Sequence, residues 1–184
     1  WQGQCAGCGE WNSLIEERIH KPVNGQVQKE KKRPIPITEI QVYEEDRLTT
    51  EVPELDRVLG KGLVQGSVIL LGGEPGIGKS TLSLQLALNL SKSKKKVLYI
   101  SGEESEKQLL LRAKRLGAMT ESLLILSDSN MLSILEAIQE TKPELVILDS
   151  IQVVSDPQSN GTAGSVSQVR QSATALIEQL KSQN

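Results

Sequence analysis

From residue 50 onward, short apolar runs alternate with longer segments in which apolar residues recur every three or four positions. The runs SVILLGG, KVLYIS, SLLILS and LVILDS are short and rich in β-branched residues or leucine, which predicts buried strands. The segments after them predict helices: one from Lys79 to about Leu90 that is apolar on most sides, then SEKQLLLRAKRLG, MLSILEAIQE and VSQVRQSATALIEQLK. Strands alternating with helices predict an α/β fold, with a mostly parallel sheet covered by helices on both faces.

The segment before these repeating units is less regular. A short helix is predicted in TEVPELDRVLGKG, with Pro53 in its first turn and Gly60 or Gly62 at its end. Residues 20–49 hold no long apolar period, and KEKKRPIPI mixes charge with proline, which is typical of a linker. One short strand is predicted within it, near Ile35–Ile40.

Composition and charge limit the class of protein and the ligands that the chain can bind. Hydrophobic residues make up 38% and charged residues 24% of 184 residues, with aromatics at 2% and no Phe, so the core must be aliphatic. No apolar run reaches the roughly 18 residues of a membrane span, and no signal peptide is apparent. The net charge of −2 excludes indiscriminate binding to nucleic acid, so any DNA contact must use a local patch or loop. The first residue is Trp1, and Asn184 directly follows a helical pattern, so we expect a fragment of a longer protein.

The octapeptide GEPGIGKS has the spacing of a phosphate-binding P-loop, G-x-x-x-x-G-K-[ST]. Glycines let backbone N–H groups approach crowded phosphate oxygens, and the N-terminus of the following helix points at the same oxygens. A chance glycine-rich turn before a helix is the alternative. Lys79 is expected to contact the outer phosphates and the Ser80 hydroxyl to hold Mg²⁺. The predicted nucleotide-binding set is Gly73, Glu74, Pro75, Gly76, Ile77, Gly78, Lys79, Ser80, Thr81 and Asp149.

Acidic residues follow two of the predicted strands. Asp149 ends LVILDS, which matches the Walker B role of holding Mg²⁺, although many strands end in an acid. Glu103 and Glu104 follow KVLYIS at the edge where open α/β sheets bind ligands. An attacking water needs a carboxylate to orient it and accept its proton, so Glu103 is predicted to be the catalytic base, with Glu104 as the reserve. Lys79 is the other predicted catalytic residue. The alternative is that both acids simply favour the N-terminus of the next helix.

Two cysteines, Cys5 and Cys8, are the only ones in the chain. Structural zinc requires four ligands, so this pair could supply half of a site and would need upstream residues to complete it. The single histidine, His20, lies in the predicted linker. An incidental dithiol or a redox pair are the alternatives, and all three fit a reducing compartment such as the cytoplasm.

A long polar connection, SDPQSNGTAGSVSQVR, follows Asp149. Connections of this length are usually functional or disordered. We expect four of its polar residues to donate to DNA phosphates, with no aromatic for base stacking; these are Asn160, Ser165, Gln168 and Arg170. The alternative is an ordinary surface loop with Arg170 as a solvated helix charge.

Four motifs of this chain follow an order similar to that in the RecA-like ATPases: LDRVLGKGLVQGS, GEPGIGKST, LYISGEES and LVILDSIQ. CAGCGEWNSLIEE and GSVSQVRQSA resemble, more narrowly, the bacterial DNA repair protein RadA (Sms) family. That family joins a four-Cys zinc ribbon, a RecA-like core and a C-terminal Lon-protease-like domain. The similarity covers essentially the whole chain, but the first Cys pair would precede Trp1, and the KNRFG motif and last domain would follow Asn184.

The resemblance implies a domain organisation and a function. Residues 1–19 would be the second half of the zinc ribbon, 20–49 a linker and 50–184 the RecA-like ATPase domain. The implied activity is a DNA-dependent ATPase of recombinational repair that processes or branch-migrates recombination intermediates on single-stranded DNA. Its cofactors would be ATP and Mg²⁺, with Zn²⁺ on Cys5 and Cys8 only in the intact parent. Single-stranded or branched DNA, a RecA-type recombinase and a homo-hexamer would be its partners.

Two other functions fit the same motifs. A KaiC-like phosphotransfer or signalling ATPase shares the P-loop and paired glutamates but leaves the cysteines unexplained. A non-catalytic nucleotide-binding module is the other. No internal cation for the transition state is evident, so it is expected from a neighbouring subunit or from the missing C-terminal part, which predicts slow hydrolysis by the fragment.

Overall fold

The computed structural model describes residues 34–39, 47–155 and 164–182. The chain divides into two units, residues 1–41 and 42–184. In the first, a single 3₁₀ turn is described, Ile37–Glu39, in which the Glu39 amide donates to the Pro36 carbonyl at 3.0 Å. The strand predicted near Ile35–Ile40 is therefore wrong for these residues. Pro34 and Pro36 lack the backbone N–H groups that a strand would use.

The second unit begins with a short helix and continues with alternating helices and strands. Its elements are α1 (Pro53–Val58), α2 (Lys79–Lys92), β1 (Val97–Ser101), α3 (Glu106–Leu116), β2 (Leu123–Ser127), α4 (Met131–Thr141), β3 (Leu145–Asp149), a 3₁₀ turn (Ile151–Val153) and α5 (Val166–Ser182). Each of the helices predicted from residue 50 onward is present. The predicted α/β fold class is confirmed, and it has the plan of a RecA-like P-loop core.

The three strands form a parallel sheet in the order β2-β1-β3. The register pairs Ser101 of β1 with Ser127 on one side and with Asp149 on the other. The carboxyl ends of all three strands therefore finish level at one edge, which is where a doubly wound sheet binds its ligands.

The two faces of the sheet carry separate apolar clusters because successive strand residues point to opposite sides. Val97 and Tyr99 pack with α2 and α3, whereas Leu98 and Ile100 pack with α4 and α5. Leu84, Leu88 and Ile134 are fully buried in these layers. Burial of this kind stabilises by roughly 1.5–3 kcal/mol for each large aliphatic side chain.

The strand predicted in SVILLGG is wrong. No ladder partner is present for residues 68–71 among the described elements, and the side chains are open, with Leu70 86% and Val68 56% exposed. An apolar run of four residues supplies the side chains of a buried strand but not the neighbouring backbone that a strand must pair with.

Helix ends follow local chemistry. Ser105 and Gln108 form a capping box at the start of α3, and the Asn130 side chain accepts from the Leu132 amide at 2.9 Å at the start of α4. Across the portion of the chain that is described, no helix is both long enough and apolar enough to cross a membrane.

Candidate nucleotide and magnesium site

The loop before α2 has the backbone shape that its glycines predict. Gly76 and Gly78 have φ values of 80° and 105°, which residues with a side chain rarely adopt. Gly78 is the N-cap of α2, and its carbonyl accepts from the Leu82 amide at 2.9 Å. The turn is closed by the Ile77 amide, which donates to the Glu74 carbonyl at 3.4 Å. The loop thus leads directly into the N-terminus of a 14-residue helix, where unpaired backbone N–H groups favour an anion.

Lys79 brings a positive charge to this loop. Its ammonium donates to the carbonyl oxygens of Gly73 and Glu74, each at 2.8 Å. Folding the side chain back along the loop requires space over Gly73, where an added Cβ would lie 3.3 Å from the Ile77 side chain and 3.8 Å from Lys79 Cδ. The ammonium is therefore held within the loop, where it can exchange carbonyl oxygens for phosphate oxygens.

Asp149 lies at the level edge of the sheet. The Tyr99 hydroxyl donates to Asp149 Oδ2 at 2.7 Å, and the Gly102 amide donates to the Asp149 carbonyl at 3.1 Å. Burial raises the pKa of Tyr99 far above its ordinary value of 10.0, and the hydrogen bond to Asp149 and its negative charge raise it further, while the nearby Arg112 guanidinium lowers it. Tyr99 is thus a neutral donor at every physiological pH, and it holds one carboxylate oxygen.

The two glutamates that follow β1 have different surroundings. Ser150, the residue after Asp149, donates through Oγ to Glu103 Oε1 at 3.0 Å, and Glu103 is otherwise exposed. Glu104 is half-buried and forms an ion pair with Arg112, with Nη1 and Oε1 2.6 Å apart. Glu103 therefore remains open to a substrate water, whereas Glu104 is engaged in structure. Neither glutamate lies within α3, which begins at Glu106 behind its Ser105 cap.

The predicted magnesium ligands are a hydroxyl and a carboxylate, the hard oxygen donors that Mg²⁺ prefers. Ser80 lies in the first turn of α2, and α2 packs against β3, the strand that ends in Asp149. With Oδ2 accepting from Tyr99, Asp149 Oδ1 would be the oxygen that holds the metal. These residues fit Mg²⁺ bound to a nucleotide that is itself a ligand.

Among the residues with described positions, no cluster of three or more His, Cys, Asp or Glu side chains occurs. Cys5 and Cys8, with the predicted zinc site, lie outside the described residues.

The predicted DNA-contacting residues that the structure describes differ in exposure. Asn160 lies outside the described residues, and Arg170 is exposed on α5. Gln168 is 1% exposed, so the prediction that it donates to phosphates is wrong. Its Nε2 donates to the Val154 carbonyl and, at 3.1 Å, to Ser172 Oγ, and its Oε1 accepts from the Gly164 amide at 3.0 Å. A glutamine and a serine four positions apart on the apolar face of a helix were the sequence signal for this buried role.

Sequence reasoning also missed Tyr99 and Arg112. Tyr99 read as one more apolar strand position, yet it stands two residues before Ser101 and so shares a face with the end of β3. Arg112 lies in the predicted helix SEKQLLLRAKRLG, and no motif singles it out. Its Nε and Nη2 are buried without a hydrogen-bond partner, and its Nη1 binds Glu104.

The motifs have counterparts in known proteins. The AAA domain family matches residues 34–182. The DNA repair protein RadA of Bacillus subtilis (strain 168) is 49% identical over 184 residues, which covers 97% of this chain and 40% of that relative. The DNA repair protein RadA of Aquifex aeolicus (strain VF5) is 46% identical over 184 residues, covering 100% of this chain and 41% of the relative. The chain spans about 40% of the length of these curated relatives.

A P-loop ahead of a parallel sheet, with acids at the ends of neighbouring strands, defines the class of RecA-like P-loop proteins. The chain belongs to the AAA domain family, whose match takes in the loop, the sheet and α5. The narrower resemblance to the RadA family, predicted from CAGCGEWNSLIEE and GSVSQVRQSA, is confirmed by the relatives above.

Proposed function

We propose that this chain binds Mg–ATP at residues 73–81 and hydrolyses it to drive processing of DNA during recombinational repair. The observation that carries the proposal is the Lys79 ammonium held within a glycine loop at the start of α2, on a sheet whose edge presents Asp149 and Glu103. The loop and Lys79 would bind the phosphates, and Ser80 and Asp149 would hold the Mg²⁺. Thr81, exposed in the first helical turn, would support Ser80.

Hydrolysis would use Glu103 as the base. The metal, when bound, neutralises charge that develops on the phosphate oxygens. Glu103 would orient the attacking water and accept its proton, and the Ser150 hydroxyl at 3.0 Å would keep the carboxylate at the edge. Glu104 would not substitute for it, because its carboxylate is paired with Arg112 at 2.6 Å.

Single-residue variants test the nucleotide chemistry. A fluorescent ATP analogue should bind in Mg²⁺ and lose most affinity in Lys79→Ala, since the variant removes the positive charge proposed to bind the phosphates. Glu103→Gln should keep binding but reduce phosphate release by about 10²-fold or more, the usual range for a general base. Glu106→Gln, an exposed acid three residues on, is the matched control and should release phosphate at the wild-type rate. Equal turnover in all three variants would refute the hydrolase proposal and favour a binding module.

The DNA role is tested separately. Phosphate release by the protein at its natural full length should rise when single-stranded DNA is added, and Lys79→Ala should abolish the rise. The names of the RadA relatives support DNA repair as the setting. A rate unchanged by DNA, or label from γ-labelled ATP retained on Ser or Thr, would instead support the phosphotransfer function. A RecA-type recombinase partner, a homo-hexamer and zinc on Cys5 and Cys8 belong to the same proposal, and each can be tested by co-purification, by mass in solution and by metal analysis.

A further inference from the structure

Tyr99 is fully buried in the middle of β1, and its hydroxyl donates to the candidate magnesium ligand Asp149. The ring is 0% exposed and packs in the layer formed with α2 and α3. Its hydroxyl reaches Asp149 Oδ2 at 2.7 Å, within the range of a short hydrogen bond to a charged acceptor. A buried tyrosine needs only one partner for its hydroxyl, and here that partner is the end of β3.

Strand register explains why this pair meets. Tyr99 lies opposite Ile147 and Ser101 lies opposite Asp149, so Tyr99 and Asp149 are diagonal neighbours on one face of adjacent strands. That face is the one covered by α2, the helix that begins at the phosphate-binding loop. Tyr99 thus approaches Asp149 from the interior of the protein, and the carboxylate oxygen that it does not contact is the one available to a metal.

A second side chain, from α3, carries a positive charge near the Tyr99 hydroxyl. The Arg112 guanidinium lies beside the Tyr99 hydroxyl and is itself held by Glu104 at 2.6 Å. Arg112 Nη1 is thus paired with Glu104 while its positive charge acts on the phenol. A guanidinium has no acceptor atom, so the Tyr99 hydroxyl donates to Asp149.

We propose that Tyr99 is a positioning residue of the Mg–ATP site, which fixes the Asp149 carboxylate so that Oδ1 faces the metal. The inference rests on the proposed function and adds to it a residue that no P-loop motif contains. Because groups that hold a metal ligand in place typically contribute 10- to 100-fold to metal affinity, removing the hydroxyl should weaken Mg²⁺ rather than the nucleotide.

The test is Tyr99→Phe, which keeps the buried ring and removes the hydroxyl alone. Binding of the fluorescent ATP analogue is titrated with Mg²⁺, and again in EDTA, and Mn²⁺ paramagnetic resonance reports bound metal directly. The half-saturating Mg²⁺ concentration should rise by about tenfold or more, while affinity in EDTA changes less than twofold. In an Asp149→Ala background, Tyr99→Phe should have no further effect on Mg²⁺.

A matched control separates positioning from packing. Ser91→Ala also removes a buried hydroxyl, which donates to the Leu88 carbonyl at 2.9 Å near the far end of α2. It should leave the Mg²⁺ titration unchanged. Equal shifts in Tyr99→Phe and Ser91→Ala, or no shift in Tyr99→Phe while the wild type depends on Mg²⁺, would overturn the inference and leave the proposed function standing. If nucleotide binding by the wild type did not depend on Mg²⁺, both the inference about Tyr99 and the proposed function would be overturned.

Discussion

Gly102 joins β1 to the two glutamates, and its lack of a side chain brings two connections together. A Cβ built on Gly102 would overlap Val153 Cγ2, and would also lie 3.4 Å from Val153 Cβ and 3.5 Å from Ser129 Cβ. Val153 belongs to the 3₁₀ turn that follows β3, and the Gly102 amide donates to the Asp149 carbonyl at 3.1 Å. The two connections that carry Glu103 and Asp149 are therefore packed against each other at this point.

Gly102→Ala should destabilise the domain. Inserting a methyl group into a filled space costs about 1–3 kcal/mol, and a valine has little freedom to rotate away because it is branched at Cβ. Loss of glycine flexibility in the unfolded chain offsets about 0.4–1 kcal/mol of that cost. The expected net loss in the free energy of unfolding is about 1–2 kcal/mol.

Urea unfolding of the wild type, the two single variants and the double variant measures the coupling energy between Gly102 and Val153. In a Val153→Ala background the opposing methyl groups are gone, so Gly102→Ala should be neutral or stabilising by up to about 1 kcal/mol. Gly72→Ala is the matched control, because an added Cβ there meets no atom within 4 Å. A coupling energy between Gly102 and Val153 below about 0.5 kcal/mol would refute the steric explanation.

Three further predictions concern other contacts. Gln168→Leu leaves the Val154 carbonyl and the Gly164 amide without their partner and should reduce the free energy of unfolding by about 2–3 kcal/mol, whereas Gln171→Leu, exposed on the same helix, should change it by less than about 0.5 kcal/mol. Equal effects of Gln168→Leu and Gln171→Leu would contradict a stabilising role for the Gln168 hydrogen bonds. Glu104→Gln leaves the partly buried Arg112 unpaired and should cost about 1–2 kcal/mol more than Glu106→Gln in the same urea assay; no difference would mean that the ion pair is not stabilising. The hydrogen bond from Lys95 holds the pKa of Glu144 below its ordinary value of 4.5, so its stabilising contribution is present above pH 4.5 and is lost as the pH falls through the folded-state value. Glu144→Gln should therefore flatten the fall in melting temperature between about pH 6 and pH 3 relative to Glu140→Gln, and parallel curves would argue against it.

Periodicity predicted α2 to α5 because each helix buries a stripe against the sheet that the sequence records directly. Residues 68–71 have side chains that suit a strand, but strand pairing depends on backbone supplied by distant parts of the chain, which periodicity does not record. The P-loop and Asp149 were predictable since their chemistry is local to a motif. The Tyr99–Asp149 bond was not, because it depends on strand register, which brings together residues 50 positions apart.

The buried amide of Gln168 contacts backbone on both sides of residues 156–163. The stems of that segment are thus tied to α5 independently of what lies between them, and residues can be added or removed there without pulling on the end of β3. An insertion or deletion there is accordingly compatible with an unchanged Asp149, and a designer could exchange the segment without re-engineering the sheet edge.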